Sequence, residues 1–155
     1  MPTVTEISDR PAISVCFKVS VDGLDLGAFT SCSGLGVELA VEDREEGGNP
    51  GFVHHLPGQL KFTNIRLTRP LGPSSDQILK WMMETSLIGQ RTTAQITACG
   101  PDGSEVASWT LDSVFPVRWT GPELSVESPK VCTETIELAH HGFLFGGAIA
   151  AIASL

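Results

Sequence analysis

Apolar and polar side chains alternate over residues 12–22, and this period of two predicts a strand with one buried face. The apolar members of the series are Ile13, Val15, Phe17, Val19 and Val21. Asp22-Gly23 is a residue pair that suits a tight hairpin turn, so residues 24–31 are predicted to return as a second strand. The first third of the chain therefore contains a predicted antiparallel pair.

Strand patterns recur along the rest of the chain. They cover residues 36–42, 59–68, 92–99, 105–111, 113–119 and 131–139. Pro101-Asp102-Gly103 is a turn signal between two of these segments. Seven or eight short strands separated by Gly and Pro predict a mainly β fold, an antiparallel β-sandwich or barrel.

One segment, residues 75–87, has the apolar spacing of a helix. Its apolar stripe, predicted to pack on the core, consists of Ile78, Leu79, Trp81, Met82 and Met83. Ser74 and Gln77 have the spacing of a capping box at its start, and Gly89 is a predicted stop. We therefore expect one α-helix beside the strands.

Residues 43–58 interrupt the strand pattern with the charged, Gly- and Pro-rich stretch DREEGGNPGFVHHLPG. The stretch is too long for a tight hairpin turn. Long loops in compact domains are usually either functional or disordered. We predict a loop here, and both of these possibilities stay open.

Composition narrows the class of protein. A chain of 155 residues with 41% hydrophobic and 18% charged residues suits one folded domain. A net charge of −8 argues against a nucleic-acid binder, which needs a basic face. The four cysteines lack CxxC spacing and are predicted to be buried reduced thiols, with a disulfide as the alternative.

Membrane and export signals are weak in this sequence. The longest apolar run, residues 143–155, is shorter than the roughly 20 residues that span a bilayer. The N-terminal residues lack the basic and apolar regions of a signal peptide. We therefore predict no transmembrane segment and synthesis in the cytoplasm.

Candidates for catalysis or metal binding are few. His54-His55 and His140-His141 are adjacent pairs, and neighbours on a strand point to opposite faces, so one pair cannot easily supply two ligands. Ser33 lacks the preceding glycine of a nucleophile elbow, and the acidic residues 42–46 lack EF-hand spacing. We predict no catalytic residue, no cofactor and no metal.

Several short motifs occur in one order along the chain. They are FKVSVDG (17–23), GAF (27–29), CSGL (32–35), EGGN (46–49), LPG (56–58), NIRLTR (64–69), FPVRW (115–119) and ETIELAHHG (134–142). With this order and spacing, residues 13–143 resemble the tube proteins of contractile phage tails and of related bacterial contractile injection systems.

The resemblance implies a β-sandwich or barrel with one helix that forms six-membered rings. The rings stack into a hollow tube, which contraction of a surrounding sheath drives through a target envelope. It also implies an extended loop that reaches the adjacent ring, and residues 43–58 suit that role. We expect the ring-stacking contacts at Glu45, Glu46, Gly47, Gly48, Asn49, Phe52, Val53, His54, His55 and Leu56.

The implied partners are other copies of the chain, a contractile sheath protein, baseplate or spike and tape-measure proteins, and lumen cargo. No specific nucleic-acid partner is expected. The implied location is the bacterial cytoplasm during assembly, with release as part of a particle. The expected organisation is an N-terminal segment (1–11), a tube domain (12–142) and an apolar tail (143–155).

Two alternatives stay open on the sequence. The tube protein of a phage tail or of a type VI secretion system would share this architecture. A protein of a different class, a monomeric β-barrel that binds a small apolar ligand, would have an internal pocket.

Overall fold

The structure, a computed structural model, describes residues 16–45, 47–48 and 51–145. Their elements are β1 (Cys16–Val21), β2 (Leu24–Phe29), β3 (Ser31–Ser33), β4 (Val37–Glu45), β5 (Val53–Phe62), β6 (Ile65–Pro70), α1 (Ser75–Ile88), β7 (Thr92–Cys99), β8 (Glu105–Thr120), β9 (Thr133–Ala139) and β10 (Gly142–Leu144). The predicted mainly β fold with one helix is confirmed. Residues 12–15 of the first predicted strand, and the segments 1–11 and 146–155, lie outside the described residues.

Eight of the strands form one sheet whose two ends meet. The order is β2-β1-β7-β8-β9-β6-β3, and β10 also pairs with β8. Only Thr30 separates β2 from β3, so the first and last strands of this order are continuous along the chain. Thr30 donates its N–H to the carbonyl of Thr68 on β6 at 2.8 Å. The sheet therefore curls back on itself as a barrel-like layer.

Strand β8 connects the two halves of this layer. Its first part pairs with β7 and β10, and its last part pairs with β9. Ser113 has a positive φ of 51°, and the register with β9 shifts between Pro116 and Arg118. The separate strands predicted at 105–111 and 113–119 are therefore one bent strand of 16 residues.

The core lies between the halves of the layer and under α1. Its members alternate along the strands as expected for half-buried sheets. They are Val19, Val21, Leu26, Phe29, Ile65, Leu67, Ile78, Ala94, Ile96, Leu111, Val114, Ile136 and Leu138. Ile78 is the buried residue of the helix, and Trp81 packs beside it, whereas Leu87 is 85% exposed. Met83 is 68% exposed, so the prediction that it packs on the core is wrong.

The ends of α1 agree with the sequence at one terminus and differ at the other. Gly89 has a φ of 68° and donates its N–H to the Thr85 carbonyl at 2.8 Å, which confirms the predicted stop. The predicted capping box is wrong, because the Ser74 side chain makes no cap hydrogen bond. The next residue, Ser75, instead donates its hydroxyl to the Gly72 carbonyl at 2.9 Å.

All four cysteines are free thiols. Cys99 is buried, while Cys16, Cys32 and Cys132 are half-buried. Burial raises the pKa of the Cys32 thiol to about 11. Within the part of the chain that the structure describes, no helix is long and apolar enough to cross a membrane.

Candidate functional site

Strands β4 and β5 form a hairpin that stands apart from the main sheet, since they pair with each other and with no other described strand. Asp43 faces His55 and Glu45 faces Val53 across it. The predicted loop at 43–58 is therefore wrong, because most of that segment is paired. A strand exposed on both faces has no core to select apolar alternation, so the sequence lacks the usual strand signal.

The hairpin contains a bulge that requires a glycine. The register shifts between Leu39 and Val41, where β5 has one extra residue. A Cβ on Gly58 would lie 2.9 Å from the Ala40 carbonyl oxygen. Gly58 therefore lets the two backbones approach closely at the bulge.

One face of the hairpin is apolar and open to solvent. Val37 pairs with Phe62, Leu39 with Leu60, and Val41 with Pro57, so these side chains share a face. Val37, Leu39, Val41 and Leu60 are each 48–62% exposed. Contiguous exposed apolar surfaces are typical of interaction sites.

The outer half of the hairpin carries most of the predicted stacking residues. The described ones are Glu45, Gly47, Gly48, Phe52, Val53, His54, His55 and Leu56, and the hairpin brings them together at its far end. Phe52, Val53 and Leu56 are 57%, 42% and 40% exposed. Glu46 and Asn49 lie outside the described residues.

Local contacts order this outer half. His55 Nδ1 lies 2.6 Å from Asp43 Oδ1, and both side chains are exposed. The rings of Phe52 and His54 meet edge to face, with centroids 4.8 Å apart. Exposed ion pairs contribute at most about 1 kcal/mol, so these contacts shape the surface more than they stabilise it.

The root of the hairpin is fixed to the body by hydrogen bonds around Thr63. The Thr63 hydroxyl donates to the Gly34 carbonyl at 2.6 Å. Gly34 has a φ of +88°, and a Cβ on it would lie 2.0 Å from the Asn64 carbonyl oxygen. Thr63 and Asn64 also separate β5 from β6, so the single strand predicted at 59–68 is wrong.

A nearly buried histidine completes the root. Gly142 donates its N–H to His140 Nδ1 at 3.2 Å, so the ring proton is on Nε2, which donates to the Thr63 carbonyl at 3.1 Å. The His140 ring also packs against Phe62 and Phe143, with centroids 5.5 and 5.3 Å apart. His140 thus connects β9, β10 and the hairpin.

A second polar cluster lies inside the body. Arg69 on β6 and Glu134 on β9 are 4% and 0% exposed, with Arg69 Nε 2.5 Å from Glu134 Oε1. Glu134 also accepts hydrogen bonds from the Ser75 hydroxyl and the Trp119 Nε1–H, both at 3.0 Å. Arg69 Nη1 donates to the Leu26 carbonyl at 2.5 Å. This network ties α1 and β2 to the strands between them.

Sequence reasoning missed this network, although a signal was present. Arg69 follows Ile65 and Leu67 at period two, and Glu134 precedes Ile136 and Leu138 in the same way. Charged residues at two inward positions of neighbouring strands indicate a buried pair. Their roles are in packing, and the network is separate from the hairpin.

An ionic row lies on the opposite, outer face of the same strands. Glu137 is the cross-strand partner of both Arg66 and Arg118. Asn64 Nδ2 donates to Glu137 Oε1 at 2.9 Å. This hydrogen bond, with the nearby charges of Arg118 and Arg66, lowers the pKa of the Glu137 carboxyl.

The two histidine pairs are used at different places in the fold. His54 and His55 lie at the outer half of the hairpin, whereas His140 lies at its root and His141 contacts Arg91. Among the described residues, no group of three or more His, Cys, Asp or Glu side chains could hold a metal ion.

Comparison with known proteins places the chain among tube proteins. The family model described as the T4-like virus tail tube protein gp19 matches residues 14–144. A search of the curated proteins found no match.

Solved structures share the fold at low sequence identity. The structure of an extracellular contractile injection system, a PVC sheath-tube complex in the extended state, contains a chain that is 23% identical, with a TM-score of 0.77 and coverage of 88% of this chain and 92% of that one. A chain of the anti-feeding prophage baseplate is 24% identical, with a TM-score of 0.71, and the match covers 89% of this chain and 97% of that one. Hcp1 from Flavobacterium johnsoniae is 13% identical, with a TM-score of 0.52 and coverage of 85% and 95%.

Proposed function

Because the chain belongs to the family of T4-like virus tail tube proteins, we propose that it is the inner-tube subunit of a contractile injection system. Six copies form a ring, and rings stack into a hollow tube that a contracting sheath drives through a target envelope. The observation that carries the proposal is the family match over residues 14–144. The higher TM-score with the extracellular injection system (0.77) than with Hcp1 (0.52) favours this type of machine.

The role that we propose is structural and not enzymatic. Tube proteins act by assembling, so the chain needs complementary surfaces and a rigid body. The buried Arg69–Glu134 pair suits this role, because each charge is paired inside the protein. Partners would be other copies of the chain, a sheath protein, baseplate or spike and tape-measure proteins, and lumen cargo. Assembly would take place in the bacterial cytoplasm, before release of the particle.

The β4–β5 hairpin is the part of the chain that we propose for ring stacking. Its contacts would come from Glu45, Glu46, Gly47, Gly48, Asn49, Phe52, Val53, His54, His55 and Leu56. The nine residues of β4 extend over about 30 Å at roughly 3.3 Å per residue. That length is comparable with the diameter of a domain of this size. A hairpin held firmly at Thr63 and exposed beyond it can therefore reach a neighbouring subunit.

The experiment shortens the hairpin without disturbing its root. Residues 46–52 are replaced by Asn-Gly, because Glu45 and Val53 are cross-strand partners that a two-residue turn can join. We expect folded rings by size-exclusion chromatography and no tubes by negative-stain electron microscopy. A milder pair of variants is Phe52→Ser and, as the control, Leu124→Ser, since the two side chains are 57% and 76% exposed.

The outcomes separate the two parts of the proposal. Normal tubes from the shortened hairpin would show that stacking uses another surface. A full-length chain that stays monomeric at high concentration would contradict the proposal that the protein is a tube subunit. It would favour a barrel that binds a small ligand.

A phage tail is the second candidate, because the matching family model is that of a T4-like virus. Purified particles that carry capsid and DNA would favour the tail. Particles with sheath and baseplate but without DNA would favour the injection system.

A further inference from the structure

Two cysteines face each other across the β1–β7 pair. Cys16 and Cys99 are direct cross-strand partners, as are Val19 and Ile96 in the core. Because alternate residues share a face, Cys16 and Cys99 lie on the outer face of the sheet, beside Lys18.

The spacing of such partners suits a covalent bridge. Directly opposed residues of an antiparallel pair have Cα atoms about 4.5–5.5 Å apart. Disulfides usually join Cα atoms about 4.4–6.8 Å apart. We propose that Cys16 and Cys99 are an oxidation site that closes into a cross-strand disulfide between β1 and β7.

The two thiols differ in exposure, and this difference assigns their order of reaction. Cys16 is half-buried and reachable, whereas Cys99 is 4% exposed. With glutathione disulfide as the oxidant, the Cys16 thiolate attacks one sulfur, forms a mixed disulfide and expels one glutathione thiolate. The Cys99 thiolate then attacks the Cys16 sulfur and expels the second glutathione. The protein loses two electrons and two protons, and the oxidant becomes two glutathione molecules.

The second step is the slow one. Burial raises the pKa of the Cys99 thiol. The nearby Lys18 ammonium opposes this shift, and the Glu105 carboxylate adds to it. Since the thiolate is the nucleophile, closure accelerates with rising pH, by up to about tenfold per pH unit below that pKa.

The bridge would change the stability of the body and not its fold. It would enclose more than half of the chain in one covalent loop, and long loops lose the most freedom in the unfolded state. The chain would be made with free thiols and acquire the bridge in oxidising surroundings. This inference does not depend on the tube function.

The experiment treats the full chain with glutathione disulfide and measures free thiols, intact mass and linked peptides. We expect the four thiols to fall to two, with loss of two hydrogen atoms and a linked peptide containing Cys16 and Cys99. The unfolding midpoint of the oxidised chain should exceed that of the reduced chain, and this difference should vanish in Cys16→Ser.

Single variants test the order of reaction. Cys99→Ser should retain glutathione on Cys16, because no resolving thiol is present, whereas Cys16→Ser should leave Cys99 unmodified. Cys32→Ser and Cys132→Ser are the matched controls and should still form the bridge. Four free thiols after oxidation, a link through Cys32 or Cys132, or a glutathione adduct that persists on wild-type Cys16 would each overturn the proposal.

Discussion

Replacing Glu134 by Gln tests how strongly the buried ion pair supports the body. The change keeps the shape of the side chain and removes its charge. Arg69, 4% exposed, is then left as an uncompensated cation against the core. Removing one partner of a buried pair costs about 3–5 kcal/mol, because the remaining charge stays desolvated. Domains of this size have about 5–15 kcal/mol of total stability, so we expect a large effect.

The magnitude can be measured by urea unfolding. With a slope of about 2 kcal/mol per molar urea, a loss of 4 kcal/mol moves the midpoint down by roughly 2 M. Arg69→Met should produce a loss of similar size by leaving the Glu134 carboxylate unpaired. The double variant Arg69→Met/Glu134→Gln should lose much less than the sum, because no buried charge remains.

The outer face of the same two strands offers a matched control. Arg66 and Glu137 are also cross-strand partners, with 3.8 Å between Arg66 Nη2 and Glu137 Oε2, but their side chains are 61% and 20% exposed. Arg66→Gln should change the stability by at most about 1 kcal/mol. A loss below 1 kcal/mol for Glu134→Gln, or additive single losses, would refute the reasoning.

Three smaller perturbations follow from local geometry. Gly34→Ala should destabilise the hairpin root by more than about 1 kcal/mol, measured by urea unfolding, because its φ is +88° and the new Cβ meets the Asn64 carbonyl; an unchanged midpoint would contradict this. Iodoacetamide should label Cys32 slowly at pH 8, because a pKa of about 11 leaves only about 0.1% of the thiol as thiolate. The labelling rate should rise about tenfold per pH unit. A labelling rate like that of a solvent-exposed thiol would contradict the burial of Cys32. Asn64→Ala should raise the Glu137 pKa towards its usual range, as followed by NMR titration. A carboxyl group whose pKa is lowered by folding stabilises the protein at pH values above its unfolded-state pKa, and this stabilisation is lost as the pH falls through its folded-state pKa. Asn64→Ala should therefore lose less stability on acidification than the wild type. An unchanged Glu137 pKa would show that Arg66 and Arg118 cause the shift.

Sequence patterns were informative where one side of an element faces the core. The helix is an example, since Ile78 is buried as its spacing predicts, and Gly89 ends it through its left-handed backbone. The order and spacing of the motifs indicated the fold and the family, because together they are more specific than any one motif alone. The barrel closure through Thr30 was not predicted, because pairing between distant strands leaves no periodic signal.

The candidate site was less predictable for a physical reason. Residues 43–45 and 53–58 form strands whose side chains face solvent on both sides, so charge and glycine replace the alternation that marks a half-buried strand. The sequence therefore singled out the segment that we propose for ring stacking but predicted the wrong backbone conformation for it. The sequence pattern also merged β5 and β6 into one predicted strand, because Phe62 and Ile65 are both apolar. Thr63 and Asn64 separate the two strands in the structure.

The open edges of the hairpin have a consequence for the timing of assembly. Among the described strands, none pairs with the outer edges of β4 and β5. Such unpaired edges are a template for adding further strands, and identical copies are their most abundant potential partners. On β4, four acidic side chains, Glu38, Glu42, Asp43 and Glu45, lie along this template. Two such hairpins meeting edge to edge would bring these charges within the screening length of about 8 Å. We expect this repulsion to slow the spontaneous polymerisation of free subunits without preventing it, so that growth from an existing nucleus that presents a different surface is faster.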